Sequence, residues 1–96
     1  MRLELTNAAE ADLRSIFNWT EQAFGLAQAV RYQTLLNTKL TALTDAPESG
    51  RPYLGATAGT RRVTALRHFI YFRSDGDVLR IIRVLHQRMA QDRHVR

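Results

Sequence analysis

The hydrophobic pattern changes period once along the chain, and that change divides it. Near the start, Leu3 and Leu5 flank Glu4 in a period-2 pattern, which predicts one opening strand of about five residues. Thr6 and Asn7 end it. With Asn7 as N-cap, its side chain accepts the N–H three positions on while Glu10 reaches back, so a capping box is predicted to start the first helix. Leu13, Ile16, Phe17, Thr20 and Phe24 then recur at helical spacing, with Arg14, Asn18 and Glu21 turned away. This predicts an amphipathic helix from about Ala8 to Phe24, and Gly25 supplies a left-handed stop. A second helix is predicted from about Leu26 to Thr44, with Ala29, Tyr32, Leu36, Leu40 and Leu43 on one stripe and Val30 and Leu35 widening it. Two helices so closely joined form an antiparallel hairpin.

Asp45-Ala46-Pro47-Glu48-Ser49-Gly50-Arg51-Pro52 breaks the helical pattern, and the length of the small, polar stretch to Gly59 points to either a mobile surface or a segment that packs down only through Tyr53 and Leu54. Beyond it the period becomes strand-like, first in Arg61 to Leu66 and then in Arg67 to Arg73. Ser74-Asp75-Gly76-Asp77 is a turn in which Gly76, and Asp75 beside it, can take positive φ. It leads into Val78 to Met89, where Val78, Leu79, Ile81, Ile82, Val84 and Leu85 put apolar groups on both faces, as in an interior strand. Arg80 and Arg83 alone interrupt the run, and Arg83 amid these neighbours needs a specific carboxylate or carbonyl partner. The opening strand must join the same sheet to satisfy its backbone. The order is β-α-α-β-β-β, an α+β domain with the helical hairpin packed on one face of a small antiparallel sheet.

Length fits a single domain spanning residues 1–96. The absence of cysteine excludes disulfides, thiolate metal sites and cysteine nucleophiles, and it suits a reducing cytoplasm. No visible export signal and no membrane-length apolar run occurs. Charge matters more by location than by total: residues 1–60 carry five basic groups against six acids, whereas residues 61–96 carry nine arginines against three acids. Thirteen of the fourteen basic residues are arginine, which favours planar, bidentate contact with an anionic partner.

Candidate chemistry narrows quickly. His68, His86 and His94 have neither the spacing nor the neighbouring carboxylates of a metal site, so no metal is expected. There is no nucleophile elbow, no Walker loop and no dinucleotide fingerprint, hence no expected cofactor. Arg61, Arg62, Arg67, Arg83, His86 and Arg88 remain. Guanidinium groups can stabilise a phosphate under attack and an imidazole can move protons, so Arg61, Arg67, Arg83 and His86 could serve a metal-free ribonuclease. The same groups would equally hold an acidic partner.

Four segments in order, TNAAEADLRSIFNWT, PESGRP, RHFIYFR and IRVLHQRM, resemble the ParE branch of the ParE/RelE toxin superfamily over essentially the whole chain. The resemblance implies the toxin half of a type II toxin–antitoxin pair, with a cognate acidic antitoxin that folds across it and through which alone operator DNA is reached. It further implies inhibition of DNA gyrase by protein binding. The alternative within the superfamily is ribosome-dependent cleavage of messenger RNA, in a branch that commonly carries a tyrosine or histidine near the end of the last strand; the frequent terminal tyrosine is absent here, where His86 is followed by Gln87 and Arg88, while His86 and Arg83 resemble a nuclease pair. Trp19, Phe24 and Tyr32 are the expected aromatic contacts for a partner, with Arg61, Arg62, Arg67, His86 and Arg88 as basic contacts.

Overall fold

The computed structural model describes residues 1–89. Its elements are β1 (Arg2–Leu5), α1 (Asn7–Phe24), α2 (Leu26–Ala42), β2 (Arg51–Pro52), β3 (Arg61–Ala65), β4 (His68–Asp75) and β5 (Val78–His86), closed by a 3-10 turn, Gln87–Met89. The strands form one sheet in the order β1-β5-β4-β3-β2. The ladders from β2 to β5 are antiparallel, but β1 joins β5 in parallel, so the sheet is mixed. The helical hairpin between β1 and the rest makes this possible, because a parallel neighbour needs a long crossover. β5 is interior, paired on both sides, as its two apolar faces require.

Thr6, not Asn7, caps α1: its Oγ1 accepts the Ala9 N–H at 3.0 Å, and Asn7 is already helical. The tertiary structure selects it. The Thr6 hydroxyl donates to the Ile82 carbonyl at 2.8 Å, and the Thr6 N–H donates to the Ile81 carbonyl at 3.0 Å. These bonds meet β5 at a bulge, where the partner of β4 jumps from Ile81, opposite Phe72, to Arg83, opposite Tyr71, leaving Ile82 as the extra residue. One residue therefore ends β1, starts α1 and ties both to the bulge.

Gly25 ends α1 at φ 94° with its N–H on the Glu21 carbonyl at 2.8 Å, and α2 turns back from it. Ala9 and Thr20 of α1 and Ala29, Leu36 and Leu40 of α2 are buried, as the helical stripe demands. Leu36, Leu40 and Leu43 meet Ile70, Phe72, Leu79, Ile81 and Val84 in the main core between hairpin and sheet. The stripe is narrower than its periodicity suggests. Phe24, Val30 and Leu35 are exposed, Leu35 although the next residue, Leu36, is fully buried.

A second, smaller cluster lies on the opposite sheet face, where Tyr53 and Ala56 pack on Phe69, Tyr71, Ile82 and Leu85. Of the two readings of this loop the packed one holds through Tyr53, while Leu54 stands 94% exposed and anchors nothing. Asp75 does not take positive φ; Gly76 alone does in that turn, at 57°. A second tight turn, at Leu66 and Arg67, has no turn residue to announce it, and Leu66 sits at φ 58°.

Candidate functional site

The basic residues of the second half divide by what holds them. Arg83 meets Asp12 of α1 in a two-pronged ion pair, Nε to Oδ2 and Nη2 to Oδ1 at 2.8 Å each. The same carboxylate accepts the Val84 N–H at 2.9 Å. β1 pairs with β5 only as far as Ile81, and Asp12 takes over the exposed edge just beyond it. Arg83 thus has the specific carboxylate that its apolar neighbours called for, and the Asp12 hydrogen bond raises its pKa above the ordinary arginine value.

Arg61 is also engaged. Its guanidinium donates to the Ser49, Glu48 and Gly50 carbonyls at 3.0, 2.7 and 3.0 Å, clamping the loop after α2 against β3. Arg62 lies over the rings of Phe69, at 4.1 Å, and Tyr53, at 5.5 Å, covering the second cluster. At the Gly76 end of the sheet Arg2, Glu4, Arg80, Asp75 and Arg73 form a continuous chain of ion pairs. Glu4 is held below the usual carboxylate range by Arg2 and then by Arg80.

Arg67 and Arg88 stand apart from all of these. Both are exposed, and among the described residues neither has a carboxylate partner. They flank a compact polar cluster at the opposite end of the sheet. His68 opens β4 directly across from His86, which closes β5, and the two rings meet edge to face with centroids 5.3 Å apart. His68 is 8% exposed and its Nδ1 lies 2.7 Å from the Tyr32 hydroxyl, presented by α2. That hydroxyl accepts the Arg67 N–H at 3.1 Å, while the His86 Nδ1 accepts the Arg88 N–H at 3.1 Å. Gln87 binds the turn twice, its N–H on the Arg67 carbonyl at 3.2 Å and its side chain on the Leu66 carbonyl at 3.4 Å. Burial pushes the His68 imidazole down from 6.5 to about 4, with the neighbouring His86 adding to the shift and Asp12 opposing it.

Of the aromatic residues expected to meet a partner, Trp19 and Phe24 come together on the far end of the hairpin, edge to face at 5.9 Å and 64% and 61% exposed. Leu26 and Val30 extend the same exposed apolar end. Tyr32 is not part of it, being turned to the sheet and His68. The structure thus sorts the candidate residues into an apolar end (Trp19, Phe24), a basic tip (Arg67, His86, Arg88) and three arginines with internal tasks (Arg61, Arg62, Arg83). Sequence reasoning missed His68 and Asp12. His68 carried a signal as a histidine beginning an aromatic strand, but its partner could not be counted without the bulge. His94 and the tail from Ala90 to Arg96 lie outside the described residues. Among the described residues no group of three or more metal-ligating side chains occurs, and no helix is long and apolar enough to cross a membrane.

Comparison with known proteins agrees with this architecture. A family model described as the ParE toxin of type II toxin–antitoxin systems, parDE, matches residues 3–91. Toxin ParE1 of Caulobacter vibrioides is 35% identical over 91 residues, spanning 95% of this chain and 94% of that protein. Toxin ParE1 of Mycobacterium tuberculosis is 33% identical over 95 residues, spanning 98% and 97%. A solved structure described as the chromosomal ParDE TA system from P. aeruginosa superimposes with a TM-score of 0.81 at 24% identity, over 90% of this chain and 95% of that one, a likeness of fold.

Proposed function

The chain belongs to the ParE toxin family of type II toxin–antitoxin systems, and from that membership we propose that it inhibits DNA gyrase by binding it, until a cognate antitoxin neutralises it. The observation that carries the proposal is the basic tip: Arg67 and Arg88 flank His86 at the strand end and, among the described residues, have no carboxylate partner, as a surface for an acidic protein region requires. Binding is favoured over RNA cleavage because two of the four groups a nuclease would use, Arg61 and Arg83, are already committed to backbone carbonyls and to Asp12. Gyrase works in the cytoplasm, which is where this activity belongs.

The antitoxin is read as an acidic, partly disordered chain that folds across the toxin, with Trp19 and Phe24 as its apolar anchors and operator DNA reached only through it. Supercoiling by purified gyrase is expected to slow as the chain is added, with cleaved DNA accumulating; full activity at large molar excess would sink the proposal. Transcripts in a translating extract are expected to stay intact, and their cleavage would favour the nuclease reading instead. Replacing Trp19 and Phe24 together by alanine is expected to weaken antitoxin binding by at least about 2 kcal/mol in calorimetry while leaving gyrase inhibition in place.

A further inference from the structure

Tyr32 stands on the inner stripe of α2, where a phenylalanine would fill the same space: its ring packs against the main core and meets His68 edge to face, with centroids 5.5 Å apart. Only the hydroxyl distinguishes it. Both partners of that hydroxyl lie at the strand tip, the Arg67 N–H at 3.1 Å and the His68 Nδ1 at 2.7 Å. The direction of the first bond is fixed, because an N–H donates. The second forms in either tautomer of the imidazole, since a phenol oxygen can accept a further hydrogen bond or donate its own proton. The hold on Arg67 is therefore independent of where the histidine proton sits.

Arg67 belongs to a two-residue turn, with Ala65 and His68 paired across its base. Leu66, the first of the two, stands at φ 58°, in a place where a hairpin turn favours glycine. Neither residue supplies this conformation by itself, so contacts from outside the turn maintain it. The Tyr32 hydroxyl takes the Arg67 N–H from α2, and the Gln87 N–H donates to the Arg67 carbonyl at 3.2 Å from the end of β5. Both main-chain polar groups of one exposed residue are thus held by other elements. The residue so held is also one whose guanidinium, among the described residues, has no carboxylate partner.

We infer that Tyr32 is a positioning residue for the toxin's target surface: it does not meet the target itself, and its hydroxyl fixes the Arg67 main chain so that the guanidinium is offered from a preset Cα–Cβ direction. A contact that is ordered beforehand loses less freedom on binding. Phenylalanine at this position would keep the packing of α2 and lose the tip. The inference rests on reading the tip as the surface that meets the target, but neither of its tests presumes that the target is gyrase.

In 15N-labelled protein at neutral pH, Tyr32→Phe is expected to lower hydrogen-exchange protection at the Arg67 amide about tenfold while the Arg88 and Ile70 amides keep theirs. In cells, growth arrest is read against the amount of toxin induced. Tyr32→Phe and Arg67→Ala are each expected to raise the amount needed for half-arrest by about tenfold, and the double variant no further than Arg67→Ala alone. Gly76→Ala, which strains the turn at the other end of β4, is expected to stay within about twofold of wild type and so separates positioning from a general loss of stability. Wild-type potency in Tyr32→Phe, or a loss that adds in full to that of Arg67→Ala, overturns the inference. So does unchanged protection of the Arg67 amide in Tyr32→Phe. Should that variant fail to fold, the wild-type protein alone decides: an Arg67 amide that exchanges at the unprotected rate overturns the inference, and a protected amide in this exposed turn supports it. Undiminished supercoiling in the gyrase assay would remove the gyrase reading and leave these readouts standing.

Discussion

The two ends of β4 are both tight turns with arginines nearby, and they are built in opposite ways. At the Gly76 end the turn is written locally: Gly76 takes φ 57° with open space around it, and the neighbouring Arg73 and Arg80 are neutralised by Asp75 and Glu4. At the Leu66 end a leucine takes φ 58°, and Tyr32, Gln87 and the His68–His86 pair hold the turn from outside. Arg67 and Arg88 there have no carboxylate partner among the described residues. A turn supplied by its own residues needs nothing from the rest of the chain. A turn imposed by tertiary contacts is sensitive to whatever alters them, and here that turn carries the exposed Arg67.

The largest expected difference between the ends is in their response to acid. His68 has a folded-state pKa of about 4 against 6.5 when unfolded, so between those values the unfolded chain binds more protons. Stability is therefore full above about pH 6.5, falls as pH drops toward 4 and loses nothing further from this group below that. At 1.4 kcal/mol per unit and allowing for solvent at the ring edge, the loss is about 2 kcal/mol, measurable as a shift in the urea midpoint. His68→Asn should remove most of this dependence.

Tyr32→Phe should cost about 1–2 kcal/mol at neutral pH, because it leaves the buried His68 Nδ1 without its hydrogen-bond partner; equilibrium unfolding would measure it. A cost near zero would mean that water replaces the phenol and that the Leu66 end is less dependent on α2 than the comparison holds. Gly76→Ala should cost about 1 kcal/mol by the same measurement, purely from the backbone, since an added Cβ meets nothing within 4 Å. The smallest effect belongs to Leu66→Gly. Relief of the positive φ should outweigh the lost side chain and the freer unfolded chain by about 0.5 kcal/mol, making it a slightly stabilising change where Gly76→Ala is destabilising. If Leu66→Gly destabilises by more than about 1 kcal/mol, the strain assigned to that turn is absent.

The same contrast explains what could be read in advance. The Gly76 turn was legible because its residues carry their own conformational preference. At Leu66 the change from one strand to the next was legible but the conformation of the turn was not, since neither leucine nor arginine favours positive φ. The need of Arg83 for a counter-charge followed from its apolar neighbours, but not that Asp12 would supply it, 71 residues away. Phe24 shows the reverse case: it fits the helical stripe, yet at the end of α1, beside the turn of the hairpin, it is 61% exposed.

By itself the sequence determined the order of elements except for the two-residue β2, the hairpin of two helices, the interior character of the last strand and the concentration of positive charge in the second half, because period, helix stops and composition are local quantities. The tertiary structure decided the pairing. Counted from the Gly76 turn, Asp75 lies opposite Val78 and a regular ladder would set His68 opposite Leu85. The bulge at Ile82 adds one residue, sets Leu85 opposite Phe69 instead, and brings His86 to His68. Thr6 binds the carbonyls at that bulge and Asp12 binds the edge just after it, both from the other end of the chain. A one-residue shift in register turns on bonds between distant segments, and no local preference in Val78 to Met89 encodes it.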